Sequence, residues 1–466
     1  MPPQIHVDVA LSHPFVPATL YSEEPLYALL QTTAVSTEGE AVRPSLNIVF
    51  VIDASGTMNH FQLTEEELEY WTGLGISRNE IERGSADSRS AYLWRGNTLK
   101  EMQKAAPTPM TQVVTSLKKT LQGLQPGDNV AVIVFANQAF SIISAGDWAA
   151  APTRCLKRLD ALCSQRLPVD IGNGTCMADA LRLGQEKLQD MSMEHPQSLL
   201  RMVIISDGMV QDQDATLSAL HSHSEQEATV TTIGVGQEFD EEFLMRLADL
   251  ARGDYHYAAD NVHFGTILEE AMTDFDHTLL SNVLLRVRGL NGTVVQDCLQ
   301  VSPAMSPFEE VTTEDGWMQA RLGGIGARPV GILIEMLPAR KSVGPHPIAE
   351  VILESNGVQE QVFLTATFSD DPSHLAVTNR SVLLYAERLA VYRHEREAQR
   401  ALLRGDHTTA RVHLSAASEK LLQLGEPDLA AEMASQSKLF DNPAQSKRIK
   451  ATTRRLNAPR SDPPAP

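Results

Sequence analysis

Apolar positions along this chain follow different rhythms in different stretches. Gln4–Leu11 alternates, with Ile5, Val7 and Val9 on one face, and Leu26–Val35 is a second run of β character. Pro14, Pro17 and Pro25 punctuate them. Strict alternation predicts half-buried strands. Two strands cannot hold together alone, so residues 1–45 are expected to complete a sheet built from later parts of the chain.

From Leu46 the runs become continuously apolar: LNIVFVID at 46–53, VAVIVFA at 130–136, LLRMVIISD at 199–207 and ATVTTIGVG at 228–236. Buried parallel strands read this way. Helical spacing lies between them at 111–124, which stops at Pro126-Gly127, and at 178–188, 215–223 and 241–251, with a last helix near 261–279. Strand alternating with helix predicts an α/β domain over 46–279, a doubly wound, mainly parallel, Rossmann-like sheet with helices on both faces.

After Ser281 the helical spacing disappears. NVLLRVRG, TVVQDCLQV, WMQARL, PVGILIEML, IAEVILES and QVFLTATF follow at short intervals between turn residues. They predict an antiparallel β-sandwich over 280–370, with the strands of 1–45 as its missing members. Residues 378–440 turn helical. A long amphipathic run is broken and recapped at Gly405-Asp406, and Pro427 opens a third helix. LLRGDHTTARVHL has the spacing of one tetratricopeptide-type hairpin, but one hairpin is too short for a solenoid, and the expectation is a helical cap on the sandwich. Residues 441–466 carry Lys447, Arg448, Lys450, Arg454 and Arg455 and read as a flexible basic tail.

Composition narrows the function classes. The 466 residues, 42% hydrophobic and 21% charged, are globular and enough for two to four domains. No apolar run approaches the ~20 residues of a membrane-spanning helix, so ion conduction is not expected. The N-terminus lacks the basic and apolar segments of a secretory signal. Cys155, Cys163, Cys176 and Cys298 form no CxxC pair. A reduced, cytoplasmic setting is expected. The net charge of −20 disfavours nucleic acid as a partner.

The candidate chemistry stands at the ends of the parallel strands. Asp53-Ala54-Ser55-Gly56-Thr57 follows the first, Gly172-Asn173-Gly174-Thr175 precedes a helix, and Ser206-Asp207-Gly208 closes another. In an open α/β sheet the carboxyl ends of the strands form the ligand crevice. The three loops would bring carboxylates and hydroxyls together, oxygen donors that suit a hard divalent cation, Mg²⁺ or Mn²⁺ first. Taken singly, Asp53 and Asp207 would merely cap helices.

VFVIDASGTM, GNGTCMADAL and IISDG together resemble the von Willebrand factor type A (VWA) family and its metal-ion-dependent adhesion site, Asp-x-Ser-x-Ser followed by Thr and then Asp. The flanking strands and C-terminal helices resemble the bacterial VWA proteins called calcium-activated chloride channel homologues. The resemblance implies direct hydroxyl ligands from Ser55, Thr57 and Thr175, with Asp53 and Asp207 acting mainly through water or as acceptors behind them. The metal would be Mg²⁺, or Mn²⁺ or Ca²⁺. Thr57 departs from the family's Ser but keeps the hydroxyl.

Neutral first ligands leave the cation poorly quenched and one position for water, which an incoming carboxylate displaces. The expected function is therefore non-enzymatic: docking of a partner protein through its Asp or Glu. An accessory role beside a MoxR-type or chelatase-type AAA ATPase is the alternative that the resemblance implies. A metal-dependent hydrolase is disfavoured, because no general base or phosphate-clamping Arg or Lys stands near the motifs.

The family's first motif leads quickly into a helix, whereas here an insertion, 59–98, intervenes. It is acidic at Glu65, Glu66, Glu67 and Glu69 and aromatic at Tyr70, Trp71, Tyr92 and Trp94. Loops this long inside a compact domain are usually functional or disordered. One expectation is that it shapes partner choice, with one of its glutamates on the metal at rest. The other is a surface helix that packs Trp71 and Trp94.

Overall fold

The computed structural model describes residues 3–18, 25–35, 43–59, 61–62, 81–83, 91–94, 108–163, 167–195, 198–222, 228–236, 239–258, 264–308, 311–312, 316–355 and 357–436. The chain divides into two compact units, one of Met1–Arg43 with His277–Pro466 and one of Pro44–Asp276. The former opens with β1 (Gln4–Leu11), β2 (Phe15–Pro17) and β3 (Leu26–Val35).

The Pro44–Asp276 unit begins with β4 (Leu46–Asp53), buried along its whole length, and a one-turn 3₁₀ helix at Gly56–Asn59. Within the insertion, β5 (Phe61–Gln62), β6 (Ile81–Arg83) and β7 (Ala91–Trp94) pair antiparallel in the order β5-β7-β6. Trp94 thus stands on a strand and not on the surface helix considered above. Glu65, Glu66, Glu67, Glu69, Tyr70 and Trp71 lie outside the described residues.

The chain continues through α1 (Pro109–Gln122), β8 (Asn129–Phe135), β9 (Ala139–Ile143), α2 (Asp147–Ala150), α3 (Pro152–Cys163) and α4 (Ala178–Glu194). It ends with β10 (Leu199–Ser206), α5 (Gln213–Ser222), β11 (Thr229–Val235), α6 (Glu241–Leu250), β12 (Arg252–Ala258) and α7 (Phe264–Asp276). The six-stranded sheet has the order β12-β11-β10-β4-β8-β9. Every neighbour pair is parallel except the edge pair β8–β9. The pleat sends Ile48, Phe50 and Ile52 into a core with Val113, Leu117, Leu159 and Leu268 from α1, α3 and α7. Val51 points the other way, toward Gly184 of α4, where a Cβ would meet Met202 Cε at 2.7 Å.

The other unit adds β13 (Thr278–Gly289), β14 (Val294–Ser302), β15 (Ser306–Pro307), β16 (Val311–Thr312), β17 (Met318–Gly326), β18 (Val330–Leu337), β19 (Gly344–Ser355) and β20 (Val358–Ser369). A five-stranded sheet, β1-β3-β18-β14-β15, and a six-stranded sheet, β16-β17-β13-β19-β20-β2, share one core that includes Ile5, Leu30, Val283, Ile334, Val351 and Leu364. The N-terminal strands enter through β3, whose Thr32 lies opposite Val330 and donates its hydroxyl to that carbonyl at 3.0 Å.

The C-terminal helices are α8 (Pro372–Leu375), α9 (Arg380–Leu403), α10 (His407–Gln423) and α11 (Pro427–Gln436). Asn379 caps α9 and Asp406 caps α10 through side-chain acceptors. Gly405, at φ +73°, supplies the left-handed turn between those helices. Val382, Leu389 and Tyr392 of α9 pack on Leu29, Leu299 and Leu333 of the five-stranded sheet, and Arg393 bridges Asp297 and Glu335. Residues 441–466 lie outside the described residues. Among the described residues no helix is long and apolar enough to cross a membrane.

Candidate metal centre

After β4 the chain runs outward to β8 and β9, then returns to place β10 on the other side of β4. The order therefore reverses between β4 and β10. Their carboxyl ends splay apart at such a switch point and leave a crevice. Asp53 is the last residue of β4, Ser206 is the last of β10, and Asp207 follows it.

Hydrogen bonds tie these ends together. Asp53 Oδ1 accepts from the Ser55 backbone N–H at 2.9 Å and folds the first motif back on itself. Asp53 Oδ2 accepts from the Ser206 hydroxyl at 2.6 Å. Ser55 Oγ lies 2.9 Å from Thr57 Oγ1, and Thr57 donates to Asp207 Oδ1 at 2.8 Å. Asp53, Ser55 and Asp207 are buried, while Thr57 is half-buried.

The third motif residue comes from the loop before α4. Asn137, just past β8, accepts the Asn173 and Gly174 N–H groups on Oδ1, both at 2.7 Å. Gly172 has φ +80°, and a Cβ there would lie 2.3 Å from that same oxygen, so the turn requires glycine. The loop carries buried Thr175 to the other two motifs. A methyl on Gly208 would sit 3.0 Å from Thr175 Oγ1 and 3.6 Å from Asp53 Oδ2. One on Gly56 would sit 2.6 Å from Asn173 Oδ1. The three sequence-distant loops thus meet, bringing Asp53, Ser55, Thr57, Thr175 and Asp207 to one end of the sheet.

Burial pushes the Asp53 carboxyl above its ordinary 3.8, against the hydrogen bonds from Ser206 and Ser55 that favour the anion. It accepts from a hydroxyl and an amide, with no Lys, Arg or His paired to it among the described residues. A buried carboxylate without a cation is costly, and a divalent ion would offset that cost. The spacing suits one as well, since adjacent oxygens of an octahedral Mg²⁺ shell lie about 2.9 Å apart. No group of three or more His, Cys, Asp or Glu is placed to hold a metal among the described residues. The donors here are mainly hydroxyls.

Three residues that support the site carry no spacing signal. Ser206 is read in the sequence only as the neighbour of Asp207. Asn137 is a polar residue just past a strand. Asp212 accepts from the Met177 and Ala178 backbone N–H groups at 2.8 and 3.0 Å, capping α4 from the following loop. Gln211 N–H donates to the Thr175 carbonyl at 2.9 Å, so the Thr175 loop and the Asp207 loop are bound to each other.

Comparison with known proteins places these features. Residues 103–270 match the family described as von Willebrand factor type A domain, a range that holds Thr175 and Asp207 but starts beyond the first motif. Residues 380–459 match the family described as Sll0103-like, C-terminal alpha-helical domain. Among solved structures, a von Willebrand factor type A protein from Catenulispora acidiphila superposes with a TM-score of 0.71 at 16% identity, over 97% of both chains. The ArnB paralog VWA2 from Sulfolobus acidocaldarius gives a TM-score of 0.53 at 12% identity, over 98% of this chain and 99% of that one. These are likenesses of fold. No curated protein matches.

Proposed function

Starting from a chain that carries a von Willebrand factor type A domain, we propose that Asp53, Ser55, Thr57, Thr175 and Asp207 hold a divalent cation, Mg²⁺ first, and that the site docks an Asp or Glu of a partner protein. The observation that carries this reading is the relay Ser55–Thr57–Asp207, with oxygen separations of 2.9 and 2.8 Å at the switch point of the sheet. Ser55, Thr57 and Thr175 supply neutral oxygens, while Asp207 orients the Thr57 hydroxyl and Asp53 holds the Ser55 backbone and the Ser206 hydroxyl behind them. The bound cation supplies a positive centre whose charge the hydroxyls leave largely unquenched, which favours a carboxylate from outside.

The site binds and does not catalyse. VWA modules are in general binding modules, and the polar groups described around the crevice serve as donors and acceptors in its loops. The kinship with the bacterial calcium-activated chloride channel homologues belongs to this same reading. None of the four cysteines is in a disulfide, which suits a reducing compartment such as the cytoplasm.

The test is affinity capture from the source lysate with wild type and Asp53→Ala, with Mg²⁺ or with chelator. Proteins retained by wild type in Mg²⁺, and lost both on chelation and in the variant, support metal-bridged docking. An AAA-type ATPase among them selects the accessory-subunit form of the proposal. Capture indifferent to both chelator and Asp53 overturns it.

A further inference from the structure

A different pair of side chains stands at the seam of the C-terminal helices. His394 of α9 and His413 of α10 point their Nδ1 atoms at each other, 3.1 Å apart, with ring centroids 5.4 Å apart and the rings tilted by 42°. Each ring sits beside the apolar contacts that close the hairpin, where Val391 and Ala398 pack against Leu414 and Ala417. The Nδ1–Nδ1 contact is the sole hydrogen bond of either ring among the described residues. We propose that His394 and His413 form a two-imidazole site for a late first-row divalent cation, Zn²⁺ or Ni²⁺, which clips α9 to α10.

Imidazole nitrogen is the donor such cations prefer. Two nitrogens each about 2.0–2.1 Å from one metal lie roughly 2.9–3.4 Å apart, according to the coordination angle. The observed separation already falls there. The centroid distance sets both Nδ1 atoms almost on the line between the ring centres, so binding shifts the shared proton to an Nε2 and turns each ring until both lone pairs converge on the ion. The short turn at Gly405 and the apolar seam hold the two helices together before the ion arrives, which lowers the ordering cost of chelation. Water completes the coordination. No third His, Cys, Asp or Glu is placed to join the pair among the described residues.

The experiment uses the untagged full chain, stripped with EDTA and returned to excess Mg²⁺ so that the crevice on the α/β sheet is saturated. Ni²⁺ is then titrated while thermal unfolding and binding heat are followed. Wild type and Asp53→Ala are both expected to gain stability, about 100-fold in the folded-to-unfolded ratio at a hundred times the Kd. His394→Gln and His413→Gln are expected to lose that gain. The gain is measured within each protein, so a less stable variant remains informative. One equivalent of Cu²⁺ gives a second readout, a two-nitrogen hyperfine pattern in wild type that loses a nitrogen in each variant. No Ni²⁺ response in wild type, an equal response in the histidine variants, or a response lost in Asp53→Ala overturns the proposal.

Discussion

Thr57 donates its hydroxyl to Asp207 Oδ1 at 2.8 Å, although 150 positions separate them in sequence. Thr57 Oγ1 also lies 2.9 Å from Ser55 Oγ, so one hydroxyl couples two motifs. Thr57→Val keeps the volume and removes the coupling. It is expected to abolish Mn²⁺ binding in titration calorimetry and, in chelated protein, to cost about 1–3 kcal/mol in urea unfolding, because the buried Asp207 loses a donor. Thr57→Ser is expected to retain both properties.

Asp212 offers a test of how the two loops hold each other. Its carboxylate caps α4 through Met177 and Ala178. Asp212→Ala is expected to lower stability by about 0.5–2 kcal/mol, read from the denaturant midpoint, and to weaken Mn²⁺ affinity by loosening Thr175. The exposed neighbour provides the control. Asp214→Ala is expected to shift stability by no more than about 0.5 kcal/mol and to leave the affinity unchanged.

Gly234 of β11 lies against an aromatic ring. A Cβ there would meet Phe239 Cε2 at 2.2 Å, and Phe239 is itself buried. Gly234→Ala is expected to destabilise the α/β unit by about 1–3 kcal/mol through overpacking, measured by thermal unfolding.

The helical hairpin carries a pH signature. Burial, then His413 and Lys420, lower the His394 pKa from 6.5 in the folded chain. The unfolded chain therefore binds this proton more tightly, and stability falls as pH drops through 6.5 toward the folded pKa. Urea midpoints measured in EDTA between pH 5 and 8 are expected to show this slope in wild type and a flatter one in His394→Gln.

Much of the α/β architecture was legible because its central strands are buried on both faces. LNIVFVID and LLRMVIIS announce themselves as unbroken apolar runs and become β4 and β10. The edge strands are less visible. RGDYHYA forms β12 and AFSII forms the antiparallel β9, yet each is only partly buried, so neither carries the apolar run that marks a central strand. The oxygen-bearing residues at the strand ends could be read from their order. Asn137, Ser206 and Asp212 could not, since they act through hydrogen-bond geometry that no spacing encodes. The family match begins at residue 103, well past Asp53, Ser55 and Thr57.

β3 finds its partner β18 across almost 300 positions, as in the Thr32 hydroxyl to Val330 carbonyl bond with a separation of 298 residues. During synthesis the first strands leave the ribosome long before the strand that completes their ladder. The 44–276 segment is finished in the meantime and is free to fold first. Until β18 emerges, β1 and β3 present an apolar hairpin whose β3 edge lacks its partner, the kind of surface that chaperones cover and that recruits stray strands. Nascent chains stalled before residue 330 should therefore be the most aggregation-prone species this protein makes.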